Sequence, residues 1–270
     1  MLKELNDMGD FPSFTQNGAR GRSLLGFDED TVWVEGKADA VFYSRIMKGR
    51  RFSVGEGKEE VILIGSEFPY PDCIVDSDFD SFIESLSIQR KNIFSTKSLN
   101  DLESIWIHAL SHVDFLEIKF GTEPVATAYE KASLVGKLRI IVHRKSNSGK
   151  NMPWRMIFKG YIELNKLLQS RRDAWGSPLD YLLYHNSHKL KKKDQWLRKI
   201  RVLDKELPAE KLHFIRGKDM MLYLYLELDR KHSPHDFFKF NRFLMREAIK
   251  IIRDQPEILD NLEVYDLLSD

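Results

Sequence analysis

The sequence predicts an α/β fold: a mostly parallel sheet flanked by helices, followed by a mainly α-helical, basic C-terminal region. Three observations predict it. Short apolar runs, TVWV at 31–34 and CIV at 73–75, have the length and β-branching of buried strands, and the stretches between them carry helical spacing. Two of these runs end in acidic residues, Glu35 in one and Asp76, Asp78 and Asp80 in the other, which suits strand ends that gather along one edge of a parallel sheet. After Gly121 the strand-like pattern gives way to long helical periods and a reversed charge balance.

Taken in order, residues 1–27 read as a flexible basic arm, with Gly18, Gly21 and Gly26 set beside Arg20 and Arg22. A strand is expected over 31–35. In the helix at 38–48, Ala38, Val41, Phe42 and Ile46 share a face. A strand at 51–55 follows. The run VILIG at 61–65 has the local preference of a strand, since it is continuous and β-branched. Further strands are expected at 72–76 and 92–96, then a helix over 99–113, opened by Ser98-x-x-Asp101 read as a capping box with Asp in the Glu position. Residues 28–120 therefore form one α/β domain, and 121–270 a second, mainly helical region. Within it AYEKASLV suggests helix, LRIIVH at 138–143 suggests strand, and SNSGKNMP at 146–153 reads as a loop. Ser177-Pro178-Leu179-Asp180 starts a helix with an N-cap and a first-position proline. Phe237, Phe240, Leu244, Ala248 and Ile251 mark one apolar stripe, and a short acidic tail ends the chain.

With 270 residues, 42% hydrophobic and 31% charged, the chain has the composition of a globular protein able to bury a sizeable core. No apolar run approaches the ~18 residues of a membrane span, and no basic start leads into an apolar leader core, so a cytoplasmic address is expected. The single cysteine, Cys73, excludes an intramolecular disulfide and reads as an inert thiol in a buried strand. Net charge is +1, but residues 1–136 carry −9, residues 137–218 carry +14 and residues 219–270 carry −4. Polyanions respond to the local field, so the basic segment suits a phosphate backbone; a solvated helical surface accounts for it equally well.

Carboxylates brought together in one crevice repel one another unless protonated or bridged by a cation. All-oxygen ligands such as Glu35, Asp76 and Asp78 suit Mg2+ or Mn2+, and Mg2+ takes one or two carboxylates beside waters and substrate phosphate oxygens. Asp76, Asp78 and Asp80 begin like a calcium loop, but Ser81 and Ser87 stand where that loop needs Gly and Glu. Asp39, on the first turn of its helix, serves either the metal or the helix dipole. Asp101 and Glu103 form a third acidic element, which a helix N-terminus attracts for dipole reasons as well. The paired histidines lack the H-E-x-x-H glutamate and any nearby cysteine, which argues against zinc.

A strand ending in Glu35-Gly36 with Asp39 behind it, and a second ending in Asp76-x-Asp78, resemble the two signature motifs of the Toprim domain, shared by topoisomerases, bacterial primases, recombination proteins and OLD-type nucleases. NIFSTKSLNDLES (92–104), AYEKASLVGKLR (128–139), WRMIFKGYI (154–162) and RGKDMMLYL (216–224) are similar to successive blocks of a small bacterial family of OLD-like Toprim proteins. That family includes the nuclease subunit of the PARIS anti-phage defence system, which works beside an ABC-type ATPase. The likeness spans about residues 28 to 230. It implies a Toprim-type sheet, with a helix rather than a strand after Gly55, Gly57 and Lys58. It also implies a metal-dependent endonuclease in which Glu35 moves a proton at the scissile phosphate and holds metal with Asp76 and Asp78, supplemented by Asp39, Asp80, Asp101 and Glu103. The partners implied are tRNA or other RNA, or DNA, an ATPase that restrains the toxic effector, and a second copy in an active homodimer.

Lys58, after Gly55-Glu56-Gly57, either meets a phosphate or is a turn lysine; further nucleic-acid contacts are expected from Arg171, Arg172, Lys189, Lys191, Lys192, Lys193 and Arg198, with Trp196 either stacking on a base or packing in the core. The alternative is a non-catalytic Toprim unit that senses nucleic acid or a phage protein and regulates its ATPase. A topoisomerase would need a nucleophilic tyrosine on a separate domain, and a primase a template-binding module; neither stands out.

Overall fold

The computed structural model describes residues 30–68, 71–77, 91–96, 99–146, 193–208, 211–228 and 234–260. They fall into two compact units, one drawn from 30–77, 91–96 and 249–260, the other from 99–248.

The first unit is an α/β sheet. Strands β1 (Thr31–Val34), β2 (Arg51–Val54), β3 (Asp72–Val75) and β4 (Ile93–Ser95) are all parallel, in the order β2-β1-β3-β4. Helix α1 (Lys37–Ile46) joins β1 to β2 and helix α2 (Lys58–Glu67) leads from β2 towards β3. β1 and β3 are buried along nearly their whole length because both of their faces are covered, which is why they read as unbroken apolar runs. On one face Trp33, Cys73, Val75 and Ile93 pack against Val61 and Ile64 of α2. Each such side chain contributes ~1.5–3 kcal/mol of burial. The VILIG run is helical despite its local strand preference: Val61 and Ile64 lie three apart and face the sheet together, whereas Leu63 is exposed. Gly65 fits beneath them because a Cβ there would come within 2.6 Å of Ile93.

The second unit is helical: α3 (Leu102–His112), α4 (Phe115–Phe120), α5 (Thr122–Ser146), α6 (Lys193–Leu203), α7 (Gly217–Leu228) and most of α8 (Pro234–Asp254). Its centre is α7, buried from Asp219 to Leu226 and packed on α5 and α3. Two sequence expectations are corrected here. LRIIVH is no strand: residues 138–143 belong to the 25-residue α5, whose Ala128, Ala132, Val135 and Leu138 bury at helical spacing and override the local β preference. The cap of α3 is Asp101 itself, whose side chain accepts from the Ser104 N–H, so Asp101 is the N-cap and not the third helical residue of a box begun at Ser98. The helix expected over 99–113 is thus Leu102–His112, and Asp114, with φ 53°, turns the chain into α4. In α8 the expected stripe holds, with Phe237, Leu244 and Ala248 buried and Phe240 and Ile251 partly so. The arm at 1–27, the loop beyond Ser146 and the helix expected from Ser177 lie outside the described residues.

Candidate functional site

Sheet topology points to the site before any side chain is considered. From β1 the chain moves outward to β2, and from β3 it moves outward the other way to β4, so the connections part between β1 and β3. Open α/β sheets bind ligands at the carboxyl ends of such a strand pair. The register sets Val34 against Ile74, and Glu35 and Asp76 are the next residues out on this edge.

The two tips touch. Glu35 Oε1 accepts a hydrogen bond from the Asp76 N–H at 2.7 Å, across 41 positions of sequence. On the other side of the same residue, Lys58 Nζ donates to the Asp76 carbonyl oxygen at 2.5 Å. The backbone of residue 76 is thus held by an anion from the β1 tip and a cation from the first residue of α2. Asp39 joins the same corner: a Cβ on Gly36 would sit 3.0 Å from Asp39 Oδ2, so the carboxylate folds back over the residue after Glu35. Glu35, Asp39, Lys58 and Asp76 are all partly exposed, as groups meeting a ligand must be.

Local sequence explains this arrangement. Gly57 has φ +118° and ψ −178°, a conformation open essentially to glycine alone, and it turns the chain into α2 so that Lys58 is the first helical residue. Glu60 reaches back to accept from the Glu56 N–H, fixing the loop. Past the end of β3, the Ser77 N–H donates to Thr96 Oγ1 at 2.9 Å, and Thr96 Oγ1 donates to Ser77 Oγ at 3.1 Å. Thr96, fully buried at the tip of β4, therefore anchors the chain just before Asp78. Sequence reasoning missed Thr96 and Glu60. A hydroxyl one position past a neighbouring strand, and a Glu three positions after a helix-starting glycine, are the signals that mark them.

No family model, curated protein or solved structure matches this chain.

Asp101 and Glu103 sit in the helical unit and are engaged there. Asp101 Oδ1 accepts from the Ser104 N–H, the Ser104 hydroxyl and the Gly217 N–H at 3.0, 2.6 and 2.8 Å, and Oδ2 accepts from Arg216 Nε at 3.3 Å. Burial alone would raise its pKa, but Arg216, then Lys218, the Ser104 hydroxyl and the Gly217 N–H together hold the carboxyl below its ordinary value. Glu103 pairs with Lys218 at 3.4 Å. These contacts make Asp101 a cap shared by two helix starts.

Of the two readings open for Trp196, the core one is what the fold adopts. It is 6% exposed, packed on the inner face of α6 with Ile200 and Leu203, and Lys199 Nζ lies 5.2 Å over its ring, so it offers no face to a base. Arg198 is exposed on the opposite side of α6. Asp78, Asp80, Arg171, Arg172, Lys189, Lys191 and Lys192 lie outside the described residues, as does the side chain of Lys193.

For a divalent ion the donor chemistry fits: the corner offers carboxylate oxygens from Glu35, Asp39 and Asp76, and Mg2+ needs only one or two, completing its shell with water. Among the described residues no three His, Cys, Asp or Glu side chains form a ready-made cage. A cavity of about 320 Å³ lined by Ile46, Lys48, Ile252, Arg253 and Pro256 lies at the C-terminal end of α1. That is the opposite edge of the sheet from Glu35, and no residue of the acidic corner lines it. No helix among the described residues is long and apolar enough to cross a membrane.

Proposed function

We propose that the protein is a divalent-metal-dependent Toprim nuclease that cleaves nucleic acid, RNA such as tRNA or else DNA, in the cytoplasm. In this reading it is the toxic effector of an anti-phage defence system, dimeric when active and restrained by an ABC-type ATPase. One observation carries the reading: Glu35 at the β1 tip is bonded to Asp76 at the β3 tip, at the switch point of a parallel sheet. Glu35 and Asp76, with Asp78, would hold Mg2+ or Mn2+, which when bound neutralises charge developing on the phosphate oxygens.

The chain's own groups do the rest. Glu35, half-buried and set against a backbone N–H, gives or takes the proton of the attacking or leaving oxygen. Lys58 holds its ammonium group at the same tip, where it meets a phosphate oxygen of the substrate. Thr96 and the β2–α2 loop keep these groups in register. Incubation of the purified protein with tRNA, other RNA and duplex DNA tests this. Cleavage requires Mg2+ or Mn2+ and falls about 10²–10⁴-fold in Glu35→Gln; undiminished cleavage by that variant, or none by the native protein with either metal, would falsify the proposal.

A second reading is favoured by the way Glu35 and Lys58 are both tied to residue 76, which gives the corner internal partners of its own. In that case the protein is a non-catalytic sensor that regulates the ATPase. A calorimetric titration that detects no heat with Mg2+ or Mn2+ selects it.

A further inference from the structure

We infer that the outer face of α6 is a binding surface for the phosphate backbone of double-stranded nucleic acid, made by Arg198, Arg201 and Lys205. The inference rests on the nucleic-acid reading above and adds which face binds and which form of substrate it takes.

The helix divides cleanly. Trp196, Ile200 and Leu203 are buried on its inner side, where α6 packs against α5. Arg198, Arg201 and Lys205 follow at spacings of three and four on the outer side, and all three are exposed. Lys205 stands in the turn that closes the helix, its N–H donating to the Val202 carbonyl. Val202, 60% exposed, lies among them.

The face carries one acid of its own, Asp194, exposed four positions before Arg198, against three cations, and the acids that follow are taken up by the neighbouring helix. Asp204 pairs with Lys137 of α5 at 2.6 Å and Glu206 with Arg144 at 2.6 Å. Both carboxylates on this turn are thereby neutralised by cations of the neighbouring helix. Lys199, the remaining cation of this stretch with a described side chain, is folded over the Trp196 ring. No acidic partner of Arg198, Arg201 or Lys205 is found among the described residues. Arg198 and Arg201 stand nearly one helical turn apart, about 4.5 Å along the axis, so both can reach one backbone.

The form of the substrate follows from what the face offers. Single-strand binders combine a basic groove with exposed aromatic rings on which bases stack. Here the one aromatic side chain of the helix is turned into the core. A rigid row of cations without a stacking platform contacts a backbone already held in helical form and reads no bases. Duplex RNA, such as a tRNA stem, and duplex DNA share that chemistry.

The test is fluorescence anisotropy with three probes of one sequence, an RNA duplex, a DNA duplex and a single strand, in EDTA so that binding is read without cleavage. The variant Arg198→Gln/Arg201→Gln/Lys205→Gln should weaken duplex binding roughly tenfold or more at ~0.1 M salt and lower the slope of log K against log salt by about 3. Its melting temperature should match that of the native protein, since the three side chains are exposed. Arg246→Gln, an exposed cation on α8 of the same unit, should change duplex affinity less than twofold. Preference for the RNA or the DNA duplex, or parity, supports the surface and assigns the source. Unchanged affinity in the triple variant, an equal loss in Arg246→Gln, or single-strand binding as tight as duplex binding overturns it. Duplex binding that depends on these residues in a protein that cleaves nothing would sink the nuclease and leave this surface standing.

Discussion

Two acidic clusters, one in each unit, have similar sequence signatures and opposite physics. At the sheet edge, Glu35 and Asp76 are half-exposed; the bond that joins them runs through the Asp76 N–H, and Lys58 holds the Asp76 carbonyl. In the helical unit Asp101 is fully buried, its two oxygens take four hydrogen bonds, and an arginine and a lysine stand beside it. Its neighbour Asp219 makes a two-pronged pair with Arg139, both bonds 3.0 Å and both side chains buried. A carboxylate enclosed in this way cannot meet a substrate; one at an open strand tip can. An acid at an element's end is therefore a functional residue only where the fold leaves it reachable.

The strongest way to break that contrast is to remove one partner of the enclosed pair. Arg139→Leu leaves Asp219 as a bare buried charge and should cost about 3–5 kcal/mol, read as the shift of a urea or thermal transition. Replacing both, Arg139→Leu with Asp219→Leu, should recover most of that loss, because two apolar side chains need no partner. Glu35→Gln should change stability by about 1 kcal/mol or less, since the amide oxygen can still accept from the Asp76 N–H. If Glu35→Gln unfolds the protein as Arg139→Leu does, the sheet-edge corner is architecture, and the contrast fails.

How much of this was legible beforehand depends on the range of the forces involved. The strands were readable because a sheet covered on both faces demands unbroken apolar runs, and TVWV and CIV supply them. The meeting of Glu35 with Asp76 was readable because parallel strands must end on one edge. LRIIVH misleads because the buried side of a packed helix takes the same Leu and Ile content as a strand, and only tertiary burial separates the two. The block RGKD at 216–219 carried no chemistry that spacing could reveal, yet each of its residues is engaged. Arg216 and the Gly217 N–H bond Asp101, Lys218 pairs with Glu103, and Asp219 pairs with Arg139. Gly217 is required because a Cβ would fall 2.1 Å from the backbone of Glu103 and Ser104. Those partners lie about a hundred positions away, beyond the reach of any local pattern. Trp196 was undecidable for the same reason: an amphipathic helix states that it has two faces, not what each one meets.

Acid sharpens the contrast on a smaller scale. The Asp101 pKa is lowered on folding, so its charge stabilises the protein fully above the unfolded value of about 3.9 and progressively less as pH falls through the lower folded value. Asp101→Asn should cost about 2–3 kcal/mol at neutral pH, the worth of charge-assisted bonds in a buried site. It should also flatten the fall in stability below about pH 4, because the group that titrates there is gone. The measurement is a set of melts from neutral pH down to about pH 3. An undiminished acid transition in Asp101→Asn would mean that other carboxylates govern it and that Asp101 is not the pin between α3 and α7.

The smallest expected signal concerns the ground on which the open corner stands. Cys73 lies in β3, three positions before Asp76, fully buried beneath α2, with its thiol pushed up to about 12 by burial and then by the charge of Asp72. A free thiol with pKa near 8.5 is partly ionised at pH 8, whereas one near 12 holds only about one part in ten thousand as thiolate. Alkylation of the native protein by iodoacetamide at pH 8, followed by intact mass, should therefore run at least about a thousandfold slower than for a free cysteine, and should reach the free rate in urea. Fast labelling of the folded chain would mean that β3 is open to solvent below its tip. A carboxylate cannot be held in register by a strand that breathes, so the same result would take away the rigid seat on which Glu35 meets Asp76.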